Sequence, residues 1–125
     1  MKKENAIVVC GQKVAVEFVV NEEKKTVVAL AKNCEELGIA ACDPAFRSIQ
    51  FMELAPGSRL EKNMYMSPTY SGVARCYAED TFDLAVGKAV ALAKLHHKLA
   101  SAIYSRKLMF ANELGRMIDS LVGGE

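Results

Sequence analysis

The sequence predicts an α+β fold: an N-terminal antiparallel β-sheet followed by a long C-terminal helix or helical hairpin. Three observations carry this. The first third is rich in β-branched residues that alternate in polarity. The last third repeats apolar residues at helical spacing with no proline. A length of 125 residues suits one domain with one modest core. The expected division is a mainly β part over 1–80 and a helical packing and oligomerisation part over 81–122.

The strands come first. AIVVC (6–10) is a short apolar run that ends at Gly11. In KVAVEFVV (13–20), Val14, Val16, Phe18 and Val20 fall on one face and Ala15, Glu17 and Val19 on the other. The polar stretch from Asn21 to Lys25 is a turn, and TVVALA (26–31) returns as a third strand. An antiparallel meander is the economical arrangement.

The middle of the chain is less patterned. Asn33 to Gly38 predicts one helical turn ending at Gly38. Asp43-Pro44 looks like an N-cap followed by proline at the first helical position, and so starts a helix through Leu54, yet SIQFMEL also reads as a strand. Residues 63–78 predict extended chain. Pro68 and Gly72 within it mark an edge, a bulge or a mid-strand loop and not a central strand.

The helical signal from Asp83 to Val122 is the strongest. Val86, Val90, Ala93, His97, Ala100, Ile103, Leu108, Ala111, Leu114, Ile118 and Leu121 recur at helical spacing and predict a broad, deeply buried stripe. Asp80 or Thr81 is the expected cap, with Asp83 complementing the helix dipole. The segment is either one rod about 60 Å long or two helices bent near Ser101–Ser105. A rod of that length outruns a domain whose radius of gyration is about 14 Å. Its far end, with Phe110, Leu114, Met117, Ile118 and Leu121, is expected to project uncovered and to favour a homo-oligomer.

Bulk properties exclude several classes. A net charge of +1 and a pI near 7.6 lack the basic excess of a dedicated duplex binder, so a nucleic-acid partner is not expected. No stretch approaches the ~20 apolar residues of a membrane span. Cys10, Cys34, Cys42 and Cys76 form no C-x-x-C pair and His96-His97 are adjacent, so no metal or other cofactor is implied. The cysteines read as reduced thiols in a cytoplasm.

The Gly87-Lys88 pair fails as a phosphate loop, because Ala89 follows the lysine and Phe82 stands where the earlier glycine belongs. Gly87 reads instead as the point where the helix crosses the sheet. The run GKAVALAKLHHKLA is reminiscent of the C-terminal helix of double-stranded-RNA-binding domains, whose lysines grip phosphates. Val90 and Ala91 replace that family's lysine run, and its N-terminal helix has no counterpart. His97 lies on the apolar stripe as a core or interface residue, and no serine or cysteine sits in an elbow motif. No constellation amounts to a catalytic mechanism, and an enzyme is not expected.

Binding remains. Arg47, Arg59, Arg75, Arg106 and Arg116 are the arginines, and none lies in the first third. Their planar forks suit phosphates. Tyr65, Tyr70, Tyr77, Phe82 and Tyr104 are near them in sequence and offer surfaces for base stacking. Together with Ser58 and Thr69 in glycine-containing loops, they suggest a nucleotide-type pocket. The bland alternative is that the arginines are salt-bridge partners and the aromatics are core.

Residues 73–94, VARCYAEDTFDLAVGKAVALAK, resemble a segment that recurs in small proteins of phages and prophages of Gram-positive bacteria. A strand ends in A-x-C, an acidic turn and F-D follow, and G-x-x-x-A opens a long helix. The plan of sheet then long helix is similar to the phage anti-Thoeris sponge proteins. The resemblance implies a non-enzymatic, homo-oligomeric protein, a dimer or higher and up to a hexamer, in the bacterial host cytoplasm. Such a protein sequesters cyclic ADP-ribose isomers, and in some cases cyclic oligonucleotides, to block anti-phage defence. It also implies Phe82 as the base-stacking residue. By chemistry, the remaining ligand candidates are Arg75, Arg59, Arg106, Arg116, Tyr70 and Asn112.

Overall fold

The computed structural model describes residues 5–42, 64–76 and 83–122. Three strands, β1 (Asn5–Val9), β2 (Gln12–Asn21) and β3 (Thr26–Ala31), form the expected meander. A short helix α1 (Leu37–Ala41) follows. Strand β4 (Tyr70–Arg75) then joins the sheet beside β3, and one long helix α2 (Leu84–Val122) completes the fold. All pairings are antiparallel and the strand order is β1-β2-β3-β4. Among the described residues β4 is therefore an edge strand, one of the positions that Pro68 and Gly72 allow.

Local chemistry fixes the turns. Cys10 (φ 50°) and Gly11 (φ 80°) join β1 to β2 between the paired residues Val9 and Gln12. Positive φ at both central residues is the condition for a type I′ hairpin, whose twist matches the strands. In the next turn the Lys24 amide donates to Asn21 Oδ1 at 3.0 Å, and Lys25 takes a φ of 49°. β2 divides its pairing: its first half, through Val16, meets β1, and its second half, from Glu17, meets β3.

α2 is one continuous helix of 39 residues, which settles rod against hairpin. Its cap is Asp83, whose Oδ1 accepts the amides of Ala85 at 3.0 Å and Val86 at 3.2 Å. The expected caps Asp80 and Thr81 lie outside the described residues. The buried face of the helix is Ala91, Leu95, Leu99 and Ile103, each 0 % exposed. They pack on Val14, Val16, Val27, Ala29 and Ala74 of the sheet. Burying side chains of the size of Leu95, Leu99 and Ile103 contributes about 1.5–3 kcal/mol each.

The predicted stripe has the right period and the wrong phase. Among the described side chains of that set only Ile103 is buried, whereas Val86, Val90, Leu108 and Ile118 are 57 %, 40 %, 50 % and 51 % exposed. Ala93, His97 and Ala111 are exposed as well. The helix is apolar on two opposite sides, and periodicity alone does not say which side the sheet takes.

The helix passes closely over Gly72, where a Cβ would meet the Ala91 carbonyl and, at 2.5 Å, the Leu95 backbone nitrogen. Gly87 sits in the first turn of α2, its amide bonded to the Asp83 carbonyl at 2.9 Å.

α1 and its surroundings hold the second half of α2. Cys42, Met64 and Phe110 form a small buried cluster with Ile39, Met109 and Leu114 against it. Phe110, expected to be uncovered, is thus only 7 % exposed, while Leu114 is half-buried and Ile118 is exposed. The helical turn expected over Asn33 to Gly38 lies farther along the chain, since α1 spans Leu37–Ala41. Gly38 is buried against the Arg106 stem and the Met64 carbonyl. The helix-or-strand alternative over 43–54 lies outside the described residues. Among the described residues no helix is long and apolar enough to cross a membrane.

Candidate ligand site

The candidates fall at three places along the fold. Tyr70 and Arg75 stand at the two ends of β4, opposite Ala31 and Thr26 respectively. Five residues apart, they point to opposite faces of the sheet and lie about 17 Å from one another. Tyr70 is half-buried on the helix side and its hydroxyl accepts the Ser67 amide at 3.3 Å. Arg75 is exposed on the outer side. One protomer does not bring this pair into one pocket.

Arg106 and Arg116 are about 15 Å apart along α2. Arg106 is engaged structurally: its stem lies against Gly38, and its Nη2 donates to the Tyr65 carbonyl at 3.3 Å. Its Nε is buried with no hydrogen-bond partner among the described residues. Arg116 is exposed and donates to Glu113 Oε1 at 2.7 Å, one turn back on the same helix. Phe82 and Arg59 lie outside the described residues, as do Arg47, Ser58 and Tyr77.

Two candidates share a concavity. Asn112 and Arg116 line a shallow depression of about 320 Å³ together with Ser105, Leu108, Met109 and Glu113. The volume is at the lower end of the range for small-ligand sites, about 300–1,000 Å³. Arg116 offers a planar fork, Asn112 an amide, Ser105 a hydroxyl, and Leu108 and Met109 an apolar wall. The Glu113 carboxylate accepts from one arm of the fork, Nη1, at 2.7 Å. An exposed pair of this kind contributes roughly 0–1 kcal/mol, so a phosphate can displace it at little cost. Ser105, Leu108 and Met109 were not legible as site residues, because Leu108 reads as part of the stripe and the other two carry no motif.

Lys88, Lys94, Lys98 and His96 of α2 are used within the fold. Lys94 Nζ donates to the Val73 carbonyl at 2.9 Å and Lys98 Nζ to the Ser71 carbonyl at 2.8 Å. Both carbonyls belong to the edge strand β4. His96 Nε2 lies 3.3 Å from the Val8 carbonyl of β1, at the opposite edge of the sheet. Lys88 stands over the Phe18 ring, 5.4 Å from its centroid. His97, one residue from His96, is exposed on the far side of the helix.

The four cysteines are thiols. Cys34 is fully buried, and burial, with Glu35 as the lesser cause, pushes its pKa above the usual thiol value of 9.0. Its Sγ is 3.7 Å from the Lys32 carbonyl, so it sits as a packed, protonated group and not as a nucleophile. Among the described residues no three His, Cys, Asp or Glu side chains gather as metal ligands. Scans against protein-family models, curated proteins and solved structures find no match to this chain.

Proposed function

We propose that the protein binds and holds a small nucleotide-type anion without turning it over, as a homo-oligomeric sponge for cyclic nucleotide signals. The cyclic ADP-ribose isomers of anti-phage defence, and cyclic oligonucleotides, are the ligands that the resemblance over residues 73–94 implies. The observation that supports the reading is the depression on α2, where Arg116, Asn112 and Ser105 converge beside Leu108 and Met109. Such a surface supplies a charge for phosphate, directional groups for a base or ribose, and an apolar wall.

The double-stranded-RNA-binding alternative is less favoured. Lys88, Lys94 and Lys98, which would grip duplex phosphates, are engaged with Phe18, Val73 and Ser71. Binding a duplex would first have to release them.

Titration calorimetry and thermal shift with cyclic ADP-ribose isomers and cyclic oligonucleotides test the proposal. Binding by at least one, with the ligand recovered unchanged after heat denaturation, is expected. Arg116→Ala and Asn112→Ala are expected to weaken it by about tenfold each, the loss of one charge-assisted or directional contact. A panel with no binder sinks the sponge reading. Binding of RNA duplex that falls steeply with salt would favour the alternative.

A further inference from the structure

Among the described residues the buried side chains fall into two clusters, and α2 runs through both. The larger joins the sheet to Ala91, Leu95, Leu99 and Ile103. The smaller holds Cys42, Met64 and Phe110. Phe110 belongs to α2 itself, so this end of the helix is covered by residues 36–42 and by Met64 with Tyr65. Two backbone bonds mark where that cover begins. The Met66 amide donates to the Glu35 carbonyl at 2.8 Å, and the Cys34 amide to the Pro68 carbonyl at 3.0 Å. Cys34 and Met66 are themselves part of the larger cluster.

Beyond those bonds the attachment weakens. α1 has five residues, of which only Gly38 is buried, and Glu36 caps it with no side-chain hydrogen bond. A helix this short has no stability of its own. Leu37 and Ala41 touch the larger cluster and Ile39 the smaller, each only half-buried. The Arg106 bond to the Tyr65 carbonyl, at 3.3 Å, is longer than usual for an N–H donor. Arg106 Nε is buried with no hydrogen-bond partner among the described residues. A buried N–H of this kind gains a partner as soon as water reaches it, which favours opening.

We infer that residues 36–42 and 64–65 form a strap that lifts off α2 as a unit while the sheet and the helix stay folded. Segments with few buried contacts open in this way at a fraction of the global unfolding free energy. The hinges are Glu35 and Met66, where the backbone bonds hold the chain to the larger cluster. Lifting the strap uncovers Cys42, Met64 and Phe110. It also withdraws support from Met109, which packs on the small cluster and lines the depression beside Arg116. A ligand seated on Met109 then holds the strap closed. That corollary rests on the proposed function, whereas the opening itself needs no ligand.

Thiol labelling of the ligand-free protein tests it, because Cys42 lies on the strap and Cys34 behind the hinge, and both are buried. Rates of alkylation at neutral pH are read site by site by peptide mass spectrometry, each relative to the same thiol in the unfolded chain. Cys42 is expected to be slowed by about 10²–10³, and Cys34 by at least about tenfold more. Val27→Ala, in β3 at the end remote from α1, weakens the sheet equally in the closed and the open forms. It should speed Cys34 by about tenfold and leave Cys42 within about twofold. Low urea gives a second reading if that variant folds poorly. Cys34 should then accelerate steeply while Cys42 stays nearly level, since lifting the strap exposes little surface. Gly38→Ala sets a Cβ against the Met64 carbonyl and the Arg106 stem, and should speed Cys42 by about tenfold. Equal acceleration of both thiols by Val27→Ala and by urea would mean one cooperative unit and overturn the inference. Cys42 as slow as Cys34 would do the same.

Discussion

Gly72 of β4 lies directly beneath Leu95 of α2, with no room between them for a side chain. A Cβ at position 72 would stand 2.5 Å from the Leu95 backbone nitrogen and closer still to the Ala91 carbonyl. The obstacle is helix backbone, which cannot rotate aside. Gly72→Ala is therefore expected to lower stability by about 1–3 kcal/mol, the usual cost of overpacking. Urea denaturation followed by circular dichroism measures this, and an unchanged midpoint would mean that α2 stands farther from the sheet.

Lys94 and Lys98, one turn apart, hold the Val73 and Ser71 carbonyls on the open side of β4. An edge strand with unpaired carbonyls invites another strand to pair with it, and lysine is a common guard. Replacing both by alanine should change unfolding free energy by only about 1–3 kcal/mol in sum. Its main effect should be thioflavin-positive aggregation at concentrations where the parent stays clear. Light scattering against time distinguishes the two.

Cys10 takes a φ of 50° in the first hairpin, a conformation that asparagine adopts more easily than cysteine. Cys10→Asn is expected to raise stability by about 0.5–1 kcal/mol. Cys10→Val, β-branched at the same place, should lower it. Thermal unfolding of the three proteins at one concentration gives the order directly.

Cys34 keeps its proton to higher pH in the folded protein than in the unfolded chain, because burial disfavours the thiolate. The folded state then binds more protons above the ordinary thiol pKa, so the stability from this group is complete below about pH 9 and falls as pH rises beyond it. Cys34→Ala should be less stable than the parent at pH 7, by an amount that narrows above pH 9. A thiol reagent at neutral pH should modify exposed Cys10 well before Cys34.

The sequence by itself determined the element types. Of the alternating set Val14, Val16, Phe18 and Val20, the first two are buried and Phe18 is partly buried, while Val20 is exposed; the absence of proline from Asp83 to Val122 left one unbroken helix available. These are local properties of the backbone and of polarity along one element. Asn112 and Arg116, two of the candidates offered by side-chain chemistry, line one depression. Tertiary structure alone decided which side of α2 meets the sheet. Leu95 and Leu99 won over Val86 and Val90 because the backbone at Gly72 admits the helix closely along that line. It likewise separated Tyr70 from Arg75 by placing them on opposite faces of one strand, and turned Lys94 and Lys98 from apparent phosphate ligands into guards of an edge. Such outcomes depend on which surfaces meet across the chain, and no periodicity within one element encodes that.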